Sequence, residues 1–314
     1  MSLFQKASKK ADRVKMYIYG GPGTGKTITS LHFPSPAVVD AEGGTLHYGH
    51  LFDFHRIETN DPKVVHKAID ELLENPGDFK SFIIDPMTLV YDKLVQSREE
   101  TMKLRSGNIH YELQPLDYKP IKNEVRILTN KLLSLDMNVI VTARSKPLYV
   151  KGGKFMEQQG NQAEGHKDMP YMFDIIIELY VDEATGKRFA KVDKDRTNSL
   201  PAEFEFSYDT LVQHLGIDSL ERKADKAKQA SNLNEKNARS TKIKFNGKTV
   251  YTAGITAETL KAIETHVQDV DPDKLEEVLL EKFNAGSLLD LNERAGQILL
   301  TSLISEDDAE ESED

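Results

Sequence analysis

Cysteine and tryptophan are both absent from the 314 residues. Without cysteine there is no disulfide framework, no Cys-ligated zinc, no iron–sulfur cluster and no thiol nucleophile, and a reducing cytosol is the natural compartment. Long apolar runs are missing too: no 18 consecutive apolar residues occur, and residues 1–15 carry bases but no apolar stretch of signal-peptide length. These absences lead us to expect a cytoplasmic protein with no membrane span. The nine histidines show no metal-binding spacing such as H-E-x-x-H. What is present, 39% hydrophobic and 29% charged residues, is the composition of a globular protein, with length for one large domain of roughly 200 residues and a smaller one.

The net charge of −10 is unevenly placed. The last nine residues hold seven carboxylates and no base, so residues 1–305 carry only −3. Residues 221–248 hold nine Lys or Arg against three acids. Acidity is therefore mostly a tail, and the body keeps basic surface that can meet a polyanion. The basic stretch reads either as a solvated linker or as a second nucleic-acid contact. The tail serves solubility or competes with a polyanion for the basic groove.

Between residues 16 and 215 short β-rich runs alternate with longer amphipathic ones, the pattern of an α/β fold with a mainly parallel sheet. Strands are expected at Met16–Tyr19, Ala37–Asp40, His55–Glu58, Phe82–Ile84, Val139–Thr142, Ile175–Val181 and Arg188–Val192. The last two flank a Gly186-containing loop, which predicts an antiparallel edge. Helices are expected from Lys26, after Asp61-Pro62, over Met87–Lys103 and over Tyr118–Leu135. Beyond Leu220 the composition shifts to Lys, Ala, Asn and Gln, and then Asn246-Gly247 marks a hairpin ahead of three helical patterns. The expected organisation is an N-terminal arm (1–15), a large α/β domain (16–218), a basic linker (219–241), a small α+β domain (242–304) and a disordered acidic tail (305–314).

Gly20, Gly21, Pro22, Gly23, Thr24, Gly25, Lys26 and Thr27 fit G-x-x-x-x-G-K-[ST] after a strand and before a helix that continues with Ile28. Glycines let the backbone wrap a phosphate, Lys26 reaches the β and γ phosphates, and the Thr27 hydroxyl holds Mg²⁺. Residues 81–85, an apolar strand ending in Asp85, have the Walker B form, which puts a second acid on the metal. Pro86 follows, so no glutamate stands beside Asp85 to polarise water, and Glu42 in the segment 37–44 is the best base candidate. Residues 146–160 read as a loop in which Lys146, Lys151 and Lys154 alternate with Tyr149 and Phe155. That mixture suits a single strand, with bases on aromatics and ammonium groups on phosphates, although a plain β-hairpin or surface loop would look the same.

Strand-Asp-Ala-Glu after the P-loop helix resembles the RecA-type recombinase core, which implies Glu42 as general base with Asp40 in support. Lys194 and Arg196 match the Lys-x-Arg segment that such ATPases project into a neighbour's nucleotide, implying hydrolysis completed in trans. Where RecA relatives place a Gln sensor this chain has Thr142 and Arg144, and the segment 103–111, with Arg105 and Tyr111, matches the first DNA loop. Phe4-x-x-Ala7 has the form by which these recombinases dock on the adjacent subunit. Taken together, residues 1 to about 215 resemble the core-only RecA-type ATPases of bacteriophages, the Sak-type single-strand annealing proteins. The resemblance implies a RecA-like P-loop core with an α+β appendage, and ATP and Mg²⁺ as ligands. It also implies single-stranded DNA as partner, a homo-oligomeric ring or filament, a single-strand binding protein as co-worker, and the host cytoplasm as location. The rival reading is a nucleotide switch that loads another protein with slow or no turnover. A small-molecule kinase is weaker, since no Arg-rich lid is visible, and GTP is disfavoured by the lack of N-K-x-D.

Overall fold

The computed structural model describes residues 13–152, 155–216, 220–221, 224, 241–245, 248–252, 255–267, 270, 274–275, 278–283, 285, 287–291 and 293–310. Phe4, Ala7, Lys154, the Asn246-Gly247 turn, most of the basic stretch and the end of the acidic tail lie outside the described residues. The chain falls into two units, residues 1–114 with 125–229, and residues 115–124 with 230–314.

In the first unit the apolar runs become strands in a mixed, mainly parallel α/β sheet. They are β1 (Lys15–Gly20), β2 (Pro36–Asp40), β3 (His55–Glu58), β4 (Ser81–Asp85), β5 (Asn138–Gly152), β6 (Phe155–Ala163), β7 (Ile175–Val181), β8 (Arg188–Asp195) and β9 (Glu203–Glu205). The order across the sheet is β3-β2-β4-β5-β1-β7-β8-β9, with β6 paired to β5. From β3 to β7 neighbours are parallel, and β8 and β9 close the far edge antiparallel. Because parallel strands are covered on both faces, the central ones read as unbroken apolar runs. Alternation then splits them: Met16, Ile18, Val38, Ile83, Ile140 and Ile177 join one buried cluster with Leu31, Phe33 and Phe206. Tyr17 and Phe82 are buried as well, and Tyr17 meets Phe173 with ring centroids 5.4 Å apart.

Helices α1 (Lys26–Leu31), α2 (Pro62–Glu74), α3 (Met87–Ser106), α4 (Tyr118–Ser134) and α5 (Tyr208–Leu215) connect the strands. Local chemistry sets their ends. Asp61 accepts from the Lys63 amide ahead of Pro62 at the first turn of α2, and Ser207 and Thr210 form a capping box on α5. Helix α3 runs to Ser106 and stops at Gly107, whose φ of 65° is left-handed. Arg105 thus sits in a last helical turn, not in the loop expected over 103–111.

Of the readings left open for residues 146–160, a loop or a β-hairpin, the structure has the hairpin: β5 continues to Gly152 and returns as β6, pairing from Ser145↔Ala163 to Gly152↔Phe155. Pro147 is accommodated because the register shifts between Pro147 and Tyr149, where the missing proline donor costs little.

In the second unit, β10 (Thr241–Phe245) and β11 (Lys248–Thr252) pair antiparallel. Helices α6 (Ala257–His266) and α7 (Glu293–Glu310) share a core of Ile255, Leu260, Ile263, Leu291, Leu299 and Leu303. A methyl at Gly296 would come 2.7 Å from Ile255 Cδ1, so α7 packs there at glycine distance.

Candidate nucleotide site

The carboxyl ends of the parallel strands bring the sequence-defined residues to one place. Strand β1 ends at Gly20, and the turn from Gly20 to Gly25 hands the chain to α1 at Lys26. Gly20 cannot be replaced cheaply, since a Cβ there would fall 2.3 Å from the Leu179 carbonyl oxygen, and Gly25 holds φ 94°. Thr24 Oγ1 donates to the Gly21 carbonyl at 2.9 Å. Lys26 Nζ donates to the carbonyls of Gly20 at 2.8 Å and Gly21 at 2.7 Å, so the ammonium group lies folded back on the loop. Burial lowers its pKa, and the Asp85 and Glu42 carboxylates oppose that shift.

Asp85 ends β4 and is 7% exposed. Thr27 Oγ1 donates to its Oδ2 at 2.6 Å, and Thr142 Oγ1 donates to Oδ1 from the neighbouring strand β5. Burial raises the Asp85 pKa, while the two hydroxyls stabilise the anion and pull the other way. Thr142 is fully buried, with its hydroxyl on the Asp85 carboxylate. One hydroxyl and one carboxylate suit Mg²⁺, which keeps most of its shell for water and phosphate oxygen. Among the described residues no group of three His, Asp or Glu forms an all-protein metal cage.

Asp40 is 1% exposed and accepts from the amides of Gly43 at 2.8 Å and Thr45 at 2.9 Å, with Arg56 3.1 Å away. It holds the turn that carries Glu42. The Ala41 amide donates to the Asp85 carbonyl at 2.8 Å, tying that turn to the Walker B strand. Glu42 itself is exposed and paired with Arg144, whose Nε lies 3.1 Å from Oε1 and whose Nη2 donates to the same oxygen. Arg144 stands where β5 leaves the sheet for the hairpin. Its amide donates to Thr88 Oγ1 at 3.0 Å, and its carbonyl accepts from the Glu164 amide just past the return strand at 2.8 Å.

Lys194 and Arg196 lie elsewhere. Because β8 is antiparallel, Lys194 pairs with Ile176 near the start of β7, at the opposite end of the sheet from the P-loop. Its Nζ donates to the carbonyls of Tyr171 at 2.7 Å and Phe173, and burial lowers its pKa. Arg196 Nη1 meets Asp174 Oδ1 at 3.1 Å on the surface. Of the nucleic-acid candidates, Lys146, Tyr149 and Lys151 ride on β5 beyond Arg144, with Tyr149 54% exposed, and Phe155 opens β6. Arg105 and Tyr111 lie off the hairpin, near the end of α3.

One residue beside the P-loop had no signal in the sequence. A methyl at Gly25 would come 3.0 Å from Arg188 Cδ and 3.1 Å from Arg188 Nε. Only the pairing of β8 with β7, and of β7 with β1, places that arginine there.

Comparison with known proteins gives a family described as AAA domain, matching residues 12–199. Among solved structures, the RadB recombinase is 17% identical, with 62% of this chain and 88% of that chain covered and a TM-score of 0.38. A KaiC-like protein from the hyperthermophilic archaeon Pyrococcus horikoshii OT3 is 14% identical, with 62% and 85% covered and a TM-score of 0.37. No curated protein sequence matches.

Proposed function

Because the chain belongs to the AAA-domain family, we propose that it is a RecA-like P-loop ATPase that hydrolyses MgATP while engaged with single-stranded DNA. The setting is recombination or annealing of the kind performed by Sak-type bacteriophage proteins. The observation that carries this reading is the double use of β5. Within the sheet it sets Thr142 on Asp85, at its exit it sets Arg144 on Glu42, and beyond that it becomes a hairpin arm bearing Lys146, Tyr149 and Lys151. A polyanion seated on the hairpin therefore acts on the catalytic glutamate through Arg144.

In this reading Thr27 and Asp85 hold the Mg²⁺, which supplies positive charge at the phosphate oxygens. Lys26 exchanges its loop carbonyls for the β and γ phosphates. Water attacks the γ phosphorus, the bond to the bridging oxygen breaks, ADP leaves with the electron pair, and the Glu42 carboxylate takes the proton of the water. Lys194 and Arg196 stand at the far end of their own sheet, so a role at the nucleotide is a role in a neighbouring subunit of a homo-oligomer. Residues 16–218 are the ATPase domain in this scheme and 242–304 a separate appendage.

The steady-state ATPase rate with and without single-stranded DNA, at low and moderate salt, tests the proposal. Stimulation that fades with salt is expected, because phosphate contacts are screened and release counterions. A rate indifferent to DNA would overturn it in favour of a nucleotide switch that loads a partner. That second reading is favoured by one observation, the pairing of Glu42 with Arg144, which occupies its Oε1 with two donors.

A further inference from the structure

Strand β1 ends at Gly20 opposite Leu179, whereas β7 continues two residues further and pairs Val181 with Arg188. The hairpin of β7 and β8 thus overshoots the P-loop strand at the end of the sheet where the phosphate loop lies. The position is braced: Tyr19 Oη donates to Asp193 Oδ2 at 2.5 Å, pinning β8 to β1, and the Arg188 carbonyl accepts from the Phe206 amide at 2.8 Å. From this frame the Arg188 side chain passes over Gly25, the glycine next to Lys26.

The charge of that side chain is unanswered. Its neighbour Lys187 takes the Glu205 carboxylate at 2.7 Å, but no carboxylate pairs with Arg188 among the described residues. A guanidinium stays ionised at any working pH and presents a planar fork of donors matched to phosphate oxygens. An unneutralised fork beside a phosphate loop is a site for an anion. We propose that Arg188 is a nucleotide-binding residue that grips the phosphates of the nucleotide on its own subunit's P-loop.

This makes Arg188 the opposite of Lys194 and Arg196. About six residues of extended strand, on the order of 20 Å, separate the two ends of β8. One strand therefore offers an arginine to its own nucleotide at one end and basic residues to a neighbour's at the other. The inference rests on reading the P-loop as a nucleotide site but not on any role for DNA.

Calorimetric titration of the full chain with ATP, ADP and inorganic tripolyphosphate, each with Mg²⁺ and without DNA, tests it. Arg188→Ala should weaken all three by about 10- to 100-fold, the loss expected for a charged hydrogen-bonding partner, and Arg188→Lys should recover part of it. Equal affinities in wild type and both variants would overturn the proposal. So would a loss confined to ATP and ADP with tripolyphosphate unaffected, which would place the contact on the base or sugar. Mixing Lys26→Ala with Arg188→Ala subunits should leave binding weak, and restored affinity would assign Arg188 to the adjacent subunit. A wild-type chain that binds none of the three would remove the P-loop reading and this inference together.

Discussion

Asp85 carries its charge where burial disfavours it, held by the Thr27 and Thr142 hydroxyls. A carboxyl whose folded pKa is raised binds its proton more tightly folded than unfolded, so stability falls as pH climbs from about 3.8 through the folded value. Asp85→Asn should therefore melt higher than the wild type at pH 7. The gain should vanish near pH 4, and Mg²⁺-dependent nucleotide binding should be lost at every pH. Thermal melts across pH check this, and no gain at pH 7 would show that the hydroxyls fully offset burial. Glu42→Gln should leave nucleotide affinity nearly unchanged while turnover falls by about 10²–10⁴, as for loss of a general base. Its exposed pair with Arg144 is worth at most about 1 kcal/mol, so the variant should melt close to the wild type. Turnover equal to wild type would remove Glu42 from catalysis.

At the scale of elements, the hairpin of β5 and β6 makes its own demand. Two lysines on one arm, Lys146 and Lys151, flank the exposed Tyr149. The Lys146→Ala, Lys151→Ala double variant should bind a labelled single-stranded oligonucleotide more weakly and lower the salt slope by about 0.7 per lost phosphate contact. An unchanged slope by fluorescence anisotropy would take the hairpin out of the interface. In the second unit Glu293 accepts from the Thr256 amide at 2.7 Å and from Thr259 Oγ1 at 2.5 Å at the start of α6. The Gln297 amide above all, with these two donors, lowers its pKa from 4.5 to about 2. A depressed carboxylate contributes stability that is whole above its unfolded value and fades as pH drops toward the folded one. The α6–α7 pair should therefore loosen between about pH 4.5 and 2 in wild type but not in Glu293→Gln, as read by hydrogen exchange of α6 amides.

For the whole molecule the question is whether one chain makes a complete catalytic site. Lys26, Thr27, Glu42 and Asp85 gather at one end of the sheet, and Lys194 and Arg196 sit at the other. A mixture of Lys26→Ala and Arg196→Ala subunits should thus recover part of the ATPase rate if the finger acts in trans, and no recovery at any ratio would argue against it. The parts of this design legible in sequence were those set by local rules. The strand Ile175–Val181 falls on its apolar run, because a strand packed between layers leaves a near-continuous apolar signature. The P-loop and Asp85 are legible because phosphate wrapping and metal binding need particular residues at fixed spacing. Residues 146–160 stay between loop and hairpin in sequence because lysine, glycine and proline signal a loop, while their pairing as β5 and β6 depends on hydrogen bonds between chain segments. Thr142 under Asp85, Arg144 on Glu42 and Arg188 over Gly25 have no local mark. Each contact joins residues 57 or more positions apart, and the strand order of the sheet, set by packing of the whole core, alone brought them together.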